Sequence, residues 1–477
     1  MLTLADVIEA LTNIRPGMPT QVITEATVDS RQVIPGALFV AIPGERVDGH
    51  DFVAEAFQRG ASFAFIQHEI AESFPTLDLR AGFSADSLES PESLTRTPLC
   101  LRVENSLSAL QQVARFWRRK LALRVIGITG SVGKSTTKEV IAEVLSQRYR
   151  TLKSPGNLNN EIGLPLTILR LGAGYERAVL EMGFYVPGEI AFLCDIALPQ
   201  IGVVTNIGTV HAERAGSQEA IVRGKTELVQ ALPASPDGVA VLNYDDPLVR
   251  PMAEKTKARV FYYGLDPEAD LWADDMEGLG LEGIRFRLHY RKETLHVRVP
   301  MIGQHSVHTA LRAAAVGLVD GLTWQEIMSG LRSGHTQLRL VAVRSQSGAL
   351  LLDDTYNASP ESTLAALNLL SELDGRKVAV LGDMLELGPY EQQGHEIVGV
   401  RAARVAEMLI TVGERGRMIA AAARRAGLRS SRVVEFESTE QSIEWLRDHL
   451  TEKDVVLIKG SHGIRMDRIV AALEVRA

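Results

Sequence analysis

The feature that most constrains this chain is a short one. An apolar run, Val125-Ile126-Gly127-Ile128-Thr129, passes directly into Gly130-Ser131-Val132-Gly133-Lys134-Ser135-Thr136. Val140, Ile141, Val144 and Leu145 then follow at helical spacing. A continuously apolar strand is buried on both faces, and one that feeds a helix through a glycine turn belongs in a parallel sheet covered by helices. Further apolar runs at Ala178–Leu180, Ile201–Thr205 and Val239–Leu242, separated by helical segments, extend the pattern. A doubly wound, mainly parallel α/β sheet is therefore predicted around residue 130. The turn also has a chemistry. Glycines let backbone N–H groups face an oxyanion, the helix N-terminus adds positive partial charge, Lys134 is placed for β/γ-phosphates, and Ser135 offers a hydroxyl to Mg²⁺. Residues Gly130, Ser131, Val132, Gly133, Lys134, Ser135 and Thr136 form the expected ATP-phosphate cradle. It is the short G-x-x-G-K-S form, because Ile128 stands where the strict P-loop has its first glycine.

A chain of 477 residues exceeds one core, and at roughly 100–200 residues per domain it predicts three. Boundaries are expected at residues 1–100, 101–335 and 336–477. In the first unit, the runs Ala37–Ile42 and Ala61–Ile66 alternate with a helical pattern over Phe52–Arg59. Residues 69–97, rich in Ser, Glu, Pro and Thr, read as an exposed loop with no assigned function. The second unit opens with a helix over Asn105–Leu121 and includes an antiparallel hairpin over 284–299, turning at Lys292-Glu293. In the third, strands are predicted at Ala349–Leu352, Lys377–Leu381, Met408–Val412, Arg432–Phe436 and Asp454–Ile458. Ser359-Pro360 marks a helix start and Ser438–Gln441 fits a capping box.

Bulk properties exclude several classes. A net charge of −8 argues against nucleic-acid binding as the main role. Cys100 and Cys194, the two cysteines, form no CxxC pair, so a disulfide framework or a zinc–cysteine site is not expected. The N-terminal pattern carries Asp6 and Glu9 among its apolar residues and reads as an amphipathic helix, not a signal peptide. No stretch reaches the ~18 apolar residues that span a bilayer, so no membrane insertion and a cytoplasmic location are expected.

Several segments together resemble one family, the Mur ligases. The segment Thr129–Lys138 resembles their short nucleotide loop, and Gly156-Asn-Leu-Asn-Asn-Glu-Ile-Gly-Leu-Pro165 resembles the segment that follows it in the dipeptide-adding type. Glu181-Met-Gly183, Thr205–Gly208 with His211, Asn243–Pro247, Asp353–Pro360, Leu381–Gly388 and Lys459–Ser461 continue the match, with Asp29–Arg31 and Asp48–Phe52 in the first unit. The resemblance implies a small N-terminal α/β domain that binds a uridine nucleotide, a central P-loop ATPase-like domain and a C-terminal Rossmann-like α/β domain. It also implies the reaction: ATP phosphorylates a peptide carboxylate and an amine displaces the phosphate. The implied substrates are UDP-N-acetylmuramoyl-tripeptide and D-alanyl-D-alanine, with ATP and Mg²⁺, and a monomer is expected.

Roles follow from the resemblance and from charge. Two anions must meet in the first step, so cations must neutralise them. Lys134, Glu181, His211 and Lys225 are the expected catalytic group, and Ser135, Glu181, His211 and Lys225 the expected metal set, Lys225 as a carbamate. Glu181 ends a predicted strand, the edge where open α/β sheets bind ligands. Arg339 and Asp354 are expected to reach the nucleotide across an interdomain cleft. Asn159, Asn160, Tyr356, Asn357 and Ser359 are expected beside the reacting groups, and Ser30 and Arg31 at the uridine diphosphate, with Asp48, Gly49 and His50 as a structural cluster or part of that site.

The chain departs from the family at one stretch. The usual G-x-H-N-x-x-N, whose second Asn is tied to adenine, is here Gly303-Gln-His-Ser-Val-His-Thr309. Hydroxyls of Ser306 and Thr309 cannot match the paired donor and acceptor of an amide, so looser nucleotide selectivity is expected. His462 replaces a common Arg after Lys459–Ser461. Three rival readings remain: a neighbouring ligase of the same fold that adds a diamino acid or glutamate, the D-N-P-R motif of the diamino-acid type being absent; a P-loop ATPase or motor of another class; and a nonenzymatic UDP-sugar sensor.

Overall fold

The computed structural model describes residues 1–17, 20–44, 47–80, 82–84, 97–208, 212–333 and 341–475. Three sheets follow one another along the chain. The first has five parallel strands, in the order Ala26–Thr27, Leu38–Val40, Phe63–Ile66, Leu99–Arg102 and Thr76–Asp78. The last of these corrects the reading of 69–97 as a loop. Leu77 is buried between two exposed neighbours and pairs with Leu101, so one apolar residue suffices to add an edge strand. Residues 81 and 85–96 lie outside the described set.

The central sheet has nine strands and carries the glycine turn. Arg124–Thr129 lies in its interior, with Arg177–Glu181 and then Thr151–Lys153 on one side and Ile201–Val204, Val239–Asn243, Arg259–Gly264 and Leu271–Gly278 on the other. All of these pair in parallel, as predicted for the four apolar runs; Thr151–Lys153, Arg259–Gly264 and Leu271–Gly278 are parallel strands that the sequence reading did not identify. Beyond Leu271–Gly278 the sheet turns antiparallel through Ile284–Tyr290 and Glu293–Val299. The hairpin pairs Tyr290 with Glu293, so its turn is Arg291-Lys292, one residue earlier than the alternation suggested, with Arg291 at φ +54°. After Arg177–Glu181 the chain crosses to the other flank of Arg124–Thr129. That switch opens a crevice at the carboxyl ends of the strands, where the loop sits.

Helix Ser106–Lys120, capped by Asn105, joins the first two sheets. Its Gln112 donates to the Ala10 carbonyl (2.8 Å), while the Trp117 indole and the buried Arg118 guanidinium donate to carbonyls of Leu171 (2.8 Å) and Ala197 (2.7 Å).

The third sheet runs Val341–Arg344, Leu350–Asp354, Asp454–Lys459, Arg376–Gly382, Met408–Val412 and Val433–Phe436, parallel except for its first pair. Ser359 caps helix Pro360–Glu372 as predicted. Ser438 also caps, but the reciprocal half of the box fails: the Gln441 side chain takes the N–H of Glu437 (3.1 Å) rather than that of Ser438. Both cysteines are buried and free, and burial raises the Cys100 thiol to about 11. No helix among the described residues is long and apolar enough to cross a membrane.

Candidate functional site

The loop is built by what surrounds it. Gly130 adopts φ +144°, and a Cβ there would stand 1.9 Å from the Thr205 hydroxyl, so no side chain fits. That hydroxyl donates to the Val132 carbonyl (2.7 Å), Asn206 accepts the Val132 N–H through its side chain (2.9 Å), and the Ser131 N–H donates to the Asn206 carbonyl (2.9 Å). The loop is thus gripped by the end of the neighbouring strand. Helix Lys134–Leu145 begins directly after Gly133 with no side-chain cap, which leaves its first N–H groups for a ligand. Lys134 Nζ donates to the Gly130 (2.8 Å) and Ser131 (3.4 Å) carbonyls, folded back over the loop.

A carboxylate faces the helix start. Glu181, 2% exposed at its strand's end, accepts from the Ser135 hydroxyl (2.6 Å) and from the Asn159 amide (3.0 Å). Behind the loop lies Lys225, fully buried on helix Gln218–Gln230. Its Nζ donates to the Gly130 carbonyl (3.0 Å) and lies 4.8 Å from the Phe184 ring centre. Burial, and then the charge of Lys134, push its amine well below the usual lysine range. Asn160 turns its carbonyl oxygen to the N–H groups of Ile162 (3.3 Å) and Gly163 (2.9 Å).

The third sheet closes the other wall. Lys459, 2% exposed, pairs with Asp354 (2.7 Å) and donates to the Asn357 carbonyl (2.8 Å). Ser359 is buried by its capping role, and Tyr356 is 43% exposed. Between the walls lies a cavity of about 800 Å³ lined by the loop, Asn159, Asn160, Glu181, Asp354, Tyr356, Asn357 and Ser359. Helix Ser306–Val319 completes it with Ser306, Thr309 and Arg312. The Ser306 hydroxyl donates to the Ile302 carbonyl (2.7 Å), and the Thr309 hydroxyl accepts from Arg312 (2.8 Å).

Three family profiles match the chain in order: Mur ligase family, catalytic domain, over residues 22–118; Mur ligase middle domain over 128–317; and Mur ligase, glutamate ligase domain over 338–462. The UDP-N-acetylmuramoyl-tripeptide–D-alanyl-D-alanine ligase of Bacillus subtilis (strain 168) is 34% identical over 96% of this chain and 94% of its own length. The chain belongs to the Mur ligase family. Among solved structures, MurF from Acinetobacter baumannii aligns with a TM-score of 0.82 at 29% identity, covering 98% of this chain and 97% of that one. MurF from Thermotoga maritima, solved in complex with ADP, aligns at 0.77 with 28% identity and covers 97% of each chain.

The Mur ligase resemblance also pointed to residues beyond these. His211 and Arg339 lie outside the described residues. Ser30 and Arg31 do not line the cavity: the Ser30 hydroxyl donates to Glu55 (3.0 Å), and Arg31, 79% exposed along its side chain, pairs with Asp29 (2.8 Å). His50 is buried with both ring nitrogens engaged, by Asp48 (2.6 Å) and by the Gln67 N–H (2.8 Å), which makes that cluster part of the fold. Lys459 and Arg312 are among the cavity residues that the sequence reading did not assign to the site. Lys459 ends a buried strand, and Arg312 stands in a helix otherwise filled with Ala, Leu and Val. A charged residue inside an apolar run was the available signal for both.

Proposed function

We propose that this chain is an ADP-forming ligase that joins the terminal carboxylate of UDP-N-acetylmuramoyl-tripeptide to the amine of D-alanyl-D-alanine. The observation that carries the reading is the convergence of Lys134, Ser135 and Glu181 on one loop, facing Asp354 and Lys459 across a single cavity, with Lys225 buried behind that loop and outside the cavity lining. The substrates come from the Mur ligase relatives that this chain resembles over nearly its whole length.

The chemistry has two steps. A carboxylate oxygen attacks the γ-phosphorus of ATP, ADP leaves, and an acyl phosphate forms. The dipeptide amine then attacks the acyl carbon, phosphate leaves, and one proton is released. Lys134 turns from the loop carbonyls to the phosphates, and the uncapped helix N–H groups hold the phosphate oxygens. The Asn159 amide orients Glu181. The site fits Mg²⁺: the Ser135 and Glu181 oxygens, 2.6 Å apart, are hard donors that face the phosphate position. Bound there, Mg²⁺ would supply neutralisation of phosphate charge. Lys225 fits carbamylation, because an amine driven toward its neutral form in a closed site is the nucleophile that CO₂ requires. Closure of the two walls around bound substrates would exclude water from the acyl phosphate.

The test is substrate dependence. ADP release is expected only with both the UDP-muramoyl-tripeptide and D-alanyl-D-alanine present. Equal ADP release without the dipeptide overturns the reading. Release driven by a free diamino acid and a UDP-muramoyl-dipeptide would instead favour the diamino-acid-adding type.

A further inference from the structure

Arg312 is a cation that no acidic side chain among the described residues pairs with. It is 4% exposed, and its neighbours Leu311, Ala313, Ala314 and Ala315 are fully buried. Its guanidinium finds two acceptors among the described residues, the Thr309 hydroxyl (2.8 Å) and the Tyr263 hydroxyl (3.4 Å), and both are neutral. Its Nε is buried with no partner. A guanidinium has five donors and stays charged at all accessible pH, so two neutral acceptors leave most of its capacity unused. Burying a cation without an anion is expensive, and a fold that needed only volume here would do better with Met or Leu.

The position indicates which anion is meant. Arg312 lines the cavity, and one of its terminal nitrogens lies 3.4 Å from where a Cβ on Gly133 would stand. Gly133 is the residue from which the phosphate-loop helix starts. The guanidinium therefore stands beside the start of the helix whose uncapped N–H groups are open to a phosphate. A donor-only fork matches phosphate oxygens in pairs, whereas an adenine edge presents a donor beside its acceptor. We propose that Arg312 is a nucleotide-binding residue that donates to phosphate oxygens of the nucleotide held by the loop. Thr309 acts through it as a positioning residue, its hydroxyl aiming the fork. The substitution of Thr309 at the expected adenine position is thereby given a use: it serves the phosphate side of the ligand. This inference rests on the ATP-dependent reading above, and its test needs no peptide substrate.

The experiment is a titration of the full chain with ADP and Mg²⁺, comparing Arg312→Met and Arg312→Lys with the parent, alongside melting curves without ligand. Loss of a charge-assisted hydrogen bond predicts that R312M weakens ADP binding by about 10-fold or more, with R312K between the two. The unliganded R312M protein should melt at or above the parent temperature, because an unneutralised buried charge is gone. Adenosine, which carries the base and no phosphate, should lose no affinity. Parent-like ADP binding by R312M overturns the proposal. So does an equal loss toward adenosine, or an unliganded variant that melts well below the parent, which would mark Arg312 as structural. If ADP binding falls as expected yet ligation is absent, the reaction assignment fails and this inference stands.

Discussion

Lys225 contributes to stability with a definite sign. Its amine is held below its ordinary value of 10.5, first by burial and then by Lys134. Between the depressed folded value and 10.5 the unfolded chain binds the extra proton, so stability rises with pH across that window and falls as pH drops through it. In CO₂-free buffer the melting temperature should climb as pH rises toward about 10, and Lys225→Met should flatten that climb while abolishing turnover. The same pH slope in both proteins would refute this account of the buried amine. Lys134→Ala should reduce ligation by at least ~100-fold with little change in melting temperature, since Lys134 is a half-buried residue of the cavity wall that donates to loop carbonyls. Full activity in that variant would remove Lys134 from the mechanism. Asp354 is different, because its loss strands Lys459 as a buried cation. Asp354→Ala should destabilise the protein by about 3 kcal/mol in denaturant titration, the low end for a broken buried pair because Lys459 keeps the Asn357 carbonyl.

At the scale of elements, the cap on helix Pro360–Glu372 is the simplest prediction. Ser359→Ala removes the acceptor for the Ser362 N–H and should cost about 1 kcal/mol, measured by urea unfolding. Elements were also what the sequence displayed best, and the reasons are physical. The four strands identified in the central sheet were legible because burial on both faces forces a continuous apolar run, as in Val125–Thr129 and Val239–Leu242, whereas Thr151–Lys153, with no fully buried residue, offered no such run. Where one buried residue is enough, as at Leu77, no run exists to be read. The hairpin turn slipped by one because alternation fixes the pairing face and not the turn residues, and Arg291 takes a left-handed conformation without being Gly, Asn or Asp. The candidate site divides in the same way. The loop was legible because its residues are contiguous, whereas Ser135 meets Glu181 across 46 positions, Lys225 meets Gly130 across 95, and Lys459 meets Asp354 across 105. Motifs named most of those residues. Their pairing, and the presence of Arg312 among them, depended on how the sheets close.

For the whole molecule, the central and C-terminal parts touch at a second place besides the cavity. Gly388, at φ +53°, packs so closely that a Cβ would stand 2.7 Å from the Cα of Glu213, and Arg214 lies 3.8 Å from Glu386. Gly388→Val should wedge this contact apart. The expected result is that phosphate release exceeds dipeptide joined, because water then reaches the acyl phosphate, as measured by comparing phosphate with ligated product. A ratio that stays at one would mean that this contact does not govern closure. The grip on the phosphate loop has a consequence of another kind. Val132 is held by Thr205 and Asn206, which follow it by 73 and 74 positions. A ribosome adding roughly 5–20 residues per second takes about 4–15 s to cover that distance. A nascent chain that ends before Thr205 contains every residue of the G-S-V-G-K-S segment and still has no cradle. Nucleotide binding is therefore a milestone of biosynthesis: it begins only when the strand that clamps the loop has emerged and docked.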